Sequence, residues 1–240
     1  MITTENTSQN KISDPVISAM FSSGAHYGYS RSRRHPSMKP FIFGAKNKTE
    51  IFDLDKTKES IDKALEVVRT LASQKKQILF VSSKHEALNA IKSVHDRLGM
   101  PYVAGRWIGG TLTNFGEIRK RVEKQQNLLE QKTKGELSKY TKKERLLIDR
   151  EIDNLTRFFS GLVVMKDIPA ALFVIDPKRE KTAISEAKKM NVPVISLSGS
   201  DCNINDSDFP IPGNDSSMAS ISFFIDQIVK AYEEGRKKSL

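Results

Sequence analysis

The chain has 240 residues, 38% of them hydrophobic and 28% charged, with 39 Lys and Arg against 29 Asp and Glu. The net charge of +10 is typical of proteins that bind polyanions, and a single cysteine, Cys202, excludes an intrachain disulfide. No apolar run is long enough to span a membrane, and the start of the chain lacks the apolar core of a signal peptide. We therefore expect a basic cytoplasmic protein that does not enter a membrane.

The charge is spread unevenly along the chain. Residues 15–49 include no Asp or Glu but several arginines and lysines, whereas residues 190–229 include no Lys or Arg and several aspartates. This pattern predicts one surface that attracts phosphate and another that repels it.

The first third of the chain predicts a loop-rich segment, then a helix and a strand. Residues 15–44 mix Gly, Pro, Ser and aromatic residues with cations, which favours an ordered loop with short strands over a long helix. Apolar residues at helical spacing predict a helix over 57–74, and the apolar run 78–83 predicts a strand buried on both faces.

A second helix and a short strand follow. Ser83 and Glu86 have the spacing of a capping box, which predicts that a helix over 84–98 begins there and ends at Gly99. Residues 101–105 are a candidate strand.

The segment 115–159 contains no strand pattern and divides into two helical halves. Their apolar positions step by four, three and four residues, as in the seam of a short antiparallel coiled coil. Thr141 and Glu144 predict a capping box at the start of the second helix, and Gly135 marks the tip. The seam positions are Ile118, Val122, Gln125, Leu129, Ile148, Ile152, Leu155 and Phe159.

Strands and helices alternate again in the last third. We predict strands at 170–176 and 192–197, a helix between them that ends near Met190, and a closing helix over 217–233. This alternation predicts an α/β fold with a doubly wound parallel sheet, flavodoxin-like or Rossmann-like, into which an antiparallel coiled-coil helical hairpin is inserted. We expect a single α/β domain over 15–233, the hairpin over 115–159, and flexible tails at 1–14 and 234–240.

One stretch has the composition of an anion-binding turn. GRWIGGTLTN, residues 105–114, places the only tryptophan, Trp107, beside a Gly-Gly pair. Backbone N–H groups in such a turn can hold an anion, but the known G-x-G-x-x-G and G-x-x-x-x-G-K-[ST] patterns occur nowhere in the chain. Two interpretations stay open: a phosphate-binding turn, or a structural corner packed by Trp107 with Arg106 beside it facing a phosphate.

The residues of enzyme chemistry are sparse. The histidines are scattered, no G-x-S-x-G or H-E-x-x-H pattern occurs, and Cys202 lies in an acidic loop that would raise the pKa of a thiol. An enzyme of nucleotide or sugar-phosphate chemistry remains one alternative, since doubly wound sheets bind such ligands. A protein–protein scaffold that docks through the acidic region 201–226 is another.

Four stretches, in this order, resemble the bacterial-type small-subunit ribosomal protein two family: GAHYGYSRSRRHPSMKPFIFGAKNKTEIFDLDKT, GRWIGGTLTNF, ALFVIDPKRE and DFPIPGND. The resemblance spans residues 15–232. It implies a non-catalytic component of the small ribosomal subunit that supports translation and binds ribosomal RNA by phosphate and shape contacts near the junction of head and body. It also implies contact with neighbouring ribosomal proteins, including small-subunit ribosomal protein one, no cofactor, and no homo-oligomer.

The candidate RNA-binding residues are the cations of the segment 31–48, of the turn 105–114, of the hairpin and of the loop after the strand 170–176. They are Arg31, Arg33, Arg34, Lys39, Lys46, Lys48, Arg106, Lys120, Arg121, Lys124, Lys142, Lys143, Lys178 and Arg179. Phe41 and Phe43 lie among the first of these cations and suit either base stacking or anchoring of the loop. The resemblance makes the turn 105–114 a signature turn of the family, whose further signature positions are Trp107, Gly109, Gly110, Thr113 and Asn114.

The resemblance implies a metal site, but this chain lacks one of the ligands. Some members of the family hold a divalent metal with the histidine of GAHYG, here His26, and with the aspartate of GND, here Asp215. Their third ligand is an aspartate where this chain has Gly199. We therefore predict no metal, although Asp201 could compensate for the lost ligand.

Overall fold

The structure is a computed structural model that describes residues 14–237. Its strands are β1 (Tyr27–Ser30), β2 (Ile42–Lys46), β3 (Thr49–Phe52), β4 (Ile78–Ser82), β5 (Tyr102–Ala104), β6 (Ala171–Ile175), β7 (Val194–Ser198) and β8 (Phe209–Pro212). Its α-helices are α1 (Pro15–Ser22), α2 (Leu54–Ser73), α3 (Leu88–Leu98), α4 (Phe115–Thr133), α5 (Lys142–Phe159), α6 (Lys181–Lys189) and α7 (Met218–Lys237).

The last five of these strands form a parallel sheet in the order β5-β4-β6-β7-β8. Every residue of β4, β6 and β7 is buried, as their apolar sequences predict. Counted along the chain, the spatial order is second, first, third, fourth, fifth, which is the order of flavodoxin-like doubly wound sheets. The predicted α/β class with a parallel sheet is confirmed.

Alternate residues of the central strands face two separate apolar cores. Ile78 and Phe80 of β4 point into a core covered by α1, α2, α3 and α7. Leu79 and Val81 point into a second core, which is covered by α4, α5, α6 and the turn that holds Trp107. The signature turn, the α4–α5 pair and α6 therefore lie on one face of the sheet.

The loop-rich segment contains more regular structure than predicted. Asp14 caps α1 by accepting a hydrogen bond from the Val16 N–H at 2.9 Å, and Pro15 occupies the first helical position, where its missing N–H costs nothing. β1, β3 and β2 form a small antiparallel sheet in that order. Asn47 and Lys48, both with positive φ, join β2 to β3.

The helices α4 and α5 occupy the predicted segment and pack against each other. The capping box at Thr141 and Glu144 is present, and Gly135 has positive φ at the turn between the helices. Lys132 pairs with Asp149 at 2.7 Å across the two helices. The seam is buried near the sheet and opens toward the tip, because Ile118, Val122, Gln125, Ile152, Leu155 and Phe159 are buried while Leu129 is 38% exposed.

Two elements differ from the prediction: α3 begins later than expected, and β8 is a strand that was not predicted. Ser83 and Glu86 form no capping box: the Ser83 N–H donates to Glu180, residues 85–87 form a 3₁₀ turn, and α3 begins only at Leu88. The edge strand β8 covers Phe209–Pro212, in which every second residue is proline. Proline argues against a central strand, so the sequence pattern did not predict β8, but proline is compatible with an edge strand.

The predicted closing helix is longer than expected. α7 continues to Lys237, and Gly235 is buried against α2, so residues 234–237 of the expected tail are helical. The expected amino-terminal tail lies outside the described residues except for Asp14. No helix within residues 14–237 is both long and apolar enough to cross a membrane.

Candidate functional site

The signature turn binds a carboxylate of its own chain. Glu186 of α6 is 6% exposed and lies under the turn, with both of its carboxylate oxygens accepting hydrogen bonds from it. The donors are Trp107 Nε1 at 3.0 Å, Gly110 N at 2.8 Å, Leu112 N at 3.0 Å, Thr113 N at 3.2 Å and Thr113 Oγ1 at 3.2 Å.

This arrangement has the chemistry of an anion site in which the anion is internal. Burial alone would raise the pKa of Glu186, but the hydrogen bonds from Trp107, Gly110, Leu112 and Thr113 outweigh it and lower the pKa. Because the N–H groups that could meet a phosphate are already paired with Glu186, the turn is the structural corner and not a phosphate cradle. Gly110 is needed there, since its φ of 91° favours glycine.

The remaining signature positions divide between the core and the surface. Trp107 is 7% exposed and belongs to the second core, which confirms its packing role. Gly109, Thr113 and Asn114 are exposed, and Asn114 precedes α4 without a side-chain capping bond. Arg106 is exposed next to the buried Trp107, where its guanidinium is accessible to a phosphate.

A buried cation lies at the carboxyl end of the sheet. Lys84 follows β4, and its Nζ lies 2.7 Å from an oxygen of Asp215 and 3.0 Å from an oxygen of Asp176, which follows β6. Burial opposes the charge on Lys84, but the two carboxylates outweigh that cost and raise its pKa.

This ion cluster occupies the place where flavodoxin-like sheets bind ligands. The strand order reverses between β4 and β6, and ligands of such folds bind at that switch point beyond the carboxyl ends of the strands. Here Lys84 and Asp176 follow those two strands and pair with each other. Cys202 is buried beside them, and burial together with Asp215 and Asp176 raises the pKa of its thiol, so it is not a nucleophile.

Four of the predicted RNA-binding cations converge near this end of the sheet, but each has a carboxylate partner. Lys178 pairs with Asp201 at 2.8 Å, and Arg33 lies 3.9 Å from the same carboxylate. Arg179 lies 3.7 Å from Asp176, the partner of Lys84. Arg34 pairs at 2.9 Å with Glu50, which is 1% exposed.

A second group of predicted cations has no carboxylate within 4 Å among the described residues. Its members are exposed on the small sheet, in the segment between β1 and β2, and at the signature turn. They are Arg31, Lys39, Lys46, Lys48 and Arg106.

The cations of α4 and α5 divide in the same way. Lys120 pairs with Glu117, and Lys124 pairs with Glu151 of the neighbouring helix. Arg121, Lys142 and Lys143 have no such partner within residues 14–237. Arg121 lies far from the two lysines. Lys142 and Lys143 begin α5 beside the carboxyl end of α4, and Arg121 is about 20 Å from that end at 1.5 Å per residue.

Three of the five aspartates in the acidic segment 190–229 pair with cations from elsewhere in the chain. Asp201 pairs with Lys178, Asp215 pairs with Lys84, and Asp226 pairs with Arg97 at 2.8 Å. Sequence patterning does not show these long-range ion pairs, and Asp206 and Asp208 have no cation partner within residues 14–237, so the phosphate-repelling surface stays a prediction.

Comparison with known proteins decides the family. A family model described as "Ribosomal protein S2" matches residues 20–235. The chain belongs to the ribosomal protein S2 family. It is 40% identical over 214 residues, 89% of this chain and 80% of the relative, to the small ribosomal subunit protein uS2 of a Nitratiruptor species.

Two further relatives carry the same name. The protein of Coprothermobacter proteolyticus is 38% identical over 222 residues, 92% of this chain and 83% of its own length. That of Borreliella burgdorferi is 38% identical over 223 residues, with shares of 93% and 86%. Ribosomal protein S2 is a structural, non-enzymatic component of the small subunit, so the enzyme alternative is wrong.

The residues present do not fit the metal site implied by the resemblance. A side chain at position 199 would meet Asp215 Oδ1 at 2.6 Å, so a third ligand cannot be placed there without moving Asp215. Asp215 is already paired with Lys84, and Asp201, the proposed substitute, is paired with Lys178. His26 has a buried Nδ1 without a hydrogen-bond partner, and burial lowers its pKa, but one imidazole is not a ligand set.

Sequence reasoning missed Glu186 and Lys84, the two residues that fill these positions. Glu186 lies on the buried stripe of α6 formed by Ala183, Ile184 and Ala187, where a carboxylate requires a buried partner. Lys84 comes two residues after the last residue of a fully buried strand. The available signal was a charge on an apolar helix face for Glu186 and a charge directly beyond a buried strand for Lys84.

Proposed function

We propose that this chain binds ribosomal RNA of the small subunit through phosphate and shape contacts near the junction of head and body, and that it supports translation without catalysis. It works as one copy in the cytoplasmic ribosome, as a single domain over 15–233 with the hairpin as an arm. It contacts neighbouring ribosomal proteins, among them small-subunit ribosomal protein one. Membership of the ribosomal protein S2 family supports this role.

The observation that carries the proposal is the internal filling of both ligand positions of the fold. Glu186 supplies the anion of the signature turn, and Lys84 supplies the cation at the switch point. Because side chains of the chain itself fill both ligand positions, the doubly wound fold serves as a scaffold and not as a ligand-binding site. Its outer surface is then the part left for binding.

The unpaired cations form the main RNA-binding surface. Arg31, Lys39, Lys46 and Lys48 are exposed and can release counterions from RNA phosphates without breaking an internal ion pair. Phe43 is 81% exposed in β2 between these cations, which supports base stacking over loop anchoring. Arg33, Lys178 and Arg179 add to the positive electrostatic potential of this surface. Arg34 holds its loop in place through the ion pair with Glu50.

The α4–α5 pair is proposed to be a short coiled-coil arm that reaches RNA away from the sheet. The interhelical ion pairs and the buried seam near the sheet support this interpretation. Lys142 and Lys143 at the start of α5 then contact RNA at the tip, while Lys120, Arg121 and Lys124 contact it nearer the base.

Apolar side chains left exposed around α1 support contact with a neighbouring protein. Phe21 is 63% exposed, Tyr27 is 49% exposed and Met218 is 63% exposed. The His26 ring stacks on Phe21 with centroids 4.5 Å apart and packs at a tilt against Tyr27 with centroids 4.1 Å apart.

A charge-reversal variant tests RNA binding. Arg31→Glu, Lys46→Glu and Lys48→Glu together should prevent most of the chain from co-sedimenting with small subunits at moderate salt, because three cations become anions. If the wild-type protein engages about six phosphates, its affinity falls about a thousandfold between 50 and 200 mM salt, and the variant should show a shallower slope.

The control carries the same charge change on the helices of the first core. Lys63→Glu, Lys92→Glu and Lys230→Glu alter exposed lysines of α2, α3 and α7 that have no carboxylate partner among the described residues. This triple variant should co-sediment nearly as well as wild type. Equal loss in both triple variants would show that total charge, and not the proposed surface, determines association.

A further inference from the structure

We propose that an open groove along α6 is an additional binding site for the phosphate backbone of RNA, a proposal that rests on the function proposed above. The groove has a volume of about 610 Å³ and lies between α6 and the loop that follows β7. Its lining residues are Lys181, Ile184, Ser185, Lys188, Lys189 and Asp206.

The three lysines share one side of the helix and have no competing partner. Lys181, Ser185 and Lys188 are separated by four and three residues, the spacing of neighbours on a helix surface, and Lys189 follows directly. No carboxylate within residues 14–237 lies within 4 Å of their ammonium groups, although Asp206 forms part of the groove wall. Seven residues of α-helix extend about 10 Å, which provides a row of positive charge and not a single point.

The groove continues beyond α6. A second depression of about 310 Å³ shares Lys188 and is lined further by Asn191, Val192, Pro193 and Asp208. The exposed Asn191 side chain offers polar groups to a strand that passes along the row of lysines. An extended, flexible polyanion suits this shape better than a compact ligand.

The helix that carries the lysines is fixed in place. Ala183, Ile184 and Ala187 are buried in the second core, and Glu186 between them binds the signature turn. The lysine side chains therefore project from a rigid base, so that binding orders only their flexible ends.

The chemistry favours RNA over an acidic protein segment. Ile184 in the groove along α6 is 4% exposed and Val192 in the adjoining depression is 7% exposed, so a peptide would find little apolar surface to bury there. Phosphates require cations and hydroxyl donors, which Lys181, Lys188, Lys189 and Ser185 supply. α6 also packs into the same core as α4 and α5, so an RNA bound by that arm passes on this face of the sheet.

The first experiment measures binding of the full chain to deproteinised small-subunit ribosomal RNA. Lys181→Glu, Lys188→Glu and Lys189→Glu together should reduce affinity at least tenfold and lower the salt slope by about two to three, because as many phosphate contacts are lost. The control is the triple variant at Lys63, Lys92 and Lys230, which should bind like wild type. An unchanged slope and affinity in the α6 variant would overturn the proposal.

The second experiment locates the RNA and does not depend on charge reversal. Ser185→Cys, carrying a tethered hydroxyl-radical source, should cleave the RNA backbone in assembled subunits, whereas Lys63→Cys with the same probe should not. Native Cys202 is 0% exposed, so labelling is restricted to the introduced thiol.

The outcomes separate this proposal from the general function. If the labelled chain enters subunits but the probe at Ser185→Cys cleaves no RNA, or instead cleaves an acidic segment of a neighbouring protein, the groove is not an RNA site and the proposed function stands. If the unmodified chain does not bind small-subunit RNA at all, the proposed function itself fails.

Discussion

Glu186 and Lys84 each bring a full charge into the interior, and each is matched by several partners. Glu186 accepts from five donors, and Lys84 pairs with two carboxylates. Removing one partner would leave the other buried without compensation, which lowers the stability of the fold. The groups lie far apart in the sequence, since Glu186 is 79 residues from Trp107 and Lys84 is 131 residues from Asp215. They tie remote segments of the chain together.

We expect Glu186→Gln to lower the free energy of unfolding by about 2–3 kcal/mol, because hydrogen bonds to a charged acceptor are replaced by weaker ones and an amide N–H₂ faces N–H donors. The measurement is chemical denaturation at pH 7. Glu59→Gln, at an exposed position without an ion-pair partner in the described range, is the control and should change stability little. Equal stability of Glu186→Gln and wild type would refute the role of the carboxylate.

The same substitution has a defined pH signature. The folded-state pKa of Glu186 lies below the ordinary value of 4.5, so its stabilisation is fully present above pH 4.5 and is lost as the pH falls through the folded-state pKa. The difference in stability between wild type and Glu186→Gln should therefore shrink on acidification below pH 4.5. A difference that grows there would contradict the assignment.

At the level of helices and strands, local patterns predicted the elements whose ends are determined locally. The Thr141 and Glu144 capping box, the positive φ of Gly99 and the buried strands β4, β6 and β7 were all readable from neighbouring residues. The Ser83 and Glu86 pattern failed because a distant carboxylate, Glu180, takes the Ser83 N–H.

The contact between the end of α5 and β5 is tight enough to exclude a methyl group. A Cβ on Gly161 would overlap the carbonyl oxygen of Tyr102 and lie 2.8 Å from its ring carbon Cγ. Gly161→Ala should cost about 1–3 kcal/mol of folding free energy, since the backbone of β5 cannot withdraw as a flexible side chain could. Thermal unfolding measures this cost.

Gly116→Ala provides the matched comparison for that experiment. A Cβ at Gly116 meets no atom within 4 Å, and the residue lies in the first turn of α4. Replacing glycine by alanine in a helix is expected to stabilise the protein, by up to about 1 kcal/mol. If both alanine variants shift the melting temperature in the same direction, the proposed clash at Gly161 is wrong.

For the molecule as a whole, composition predicted the sign and rough placement of the charge but not which charges are free. Arg34 and Lys178 carry the same charge as Lys46, yet their charges are matched by Glu50 and Asp201, while Lys46 is unpaired in the described structure. Such pairing depends on which loops meet in the folded chain, and no spacing rule shows it. The family resemblance led to the proposed function, and the structure distinguishes the cations that are unpaired in the described residues from those that are in ion pairs.

Shortening the arm tests its role at this scale. Replacing residues 131–150 by a four-residue Gly-Ser linker removes Lys142 and Lys143 but keeps the base residues Ile118 and Leu155 in the second core. The variant should unfold cooperatively near the wild-type temperature and bind small-subunit RNA about tenfold more weakly. Loss of cooperative unfolding would show that the tip belongs to the folding core, and undiminished binding would exclude it from the interface.

The carboxylate of Glu186 has one more effect, which concerns how the separate patches cooperate. Because it joins α6 to the turn from which α4 departs, the lysine row and the base of the proposed arm are tied to each other by hydrogen bonds. If both patches bind nucleic acid as proposed, capture by one presents the nucleic acid to the other at a high effective concentration, so two weak attachments give strong avidity. A chain of modest local affinities can thereby remain in a large assembly for a long time.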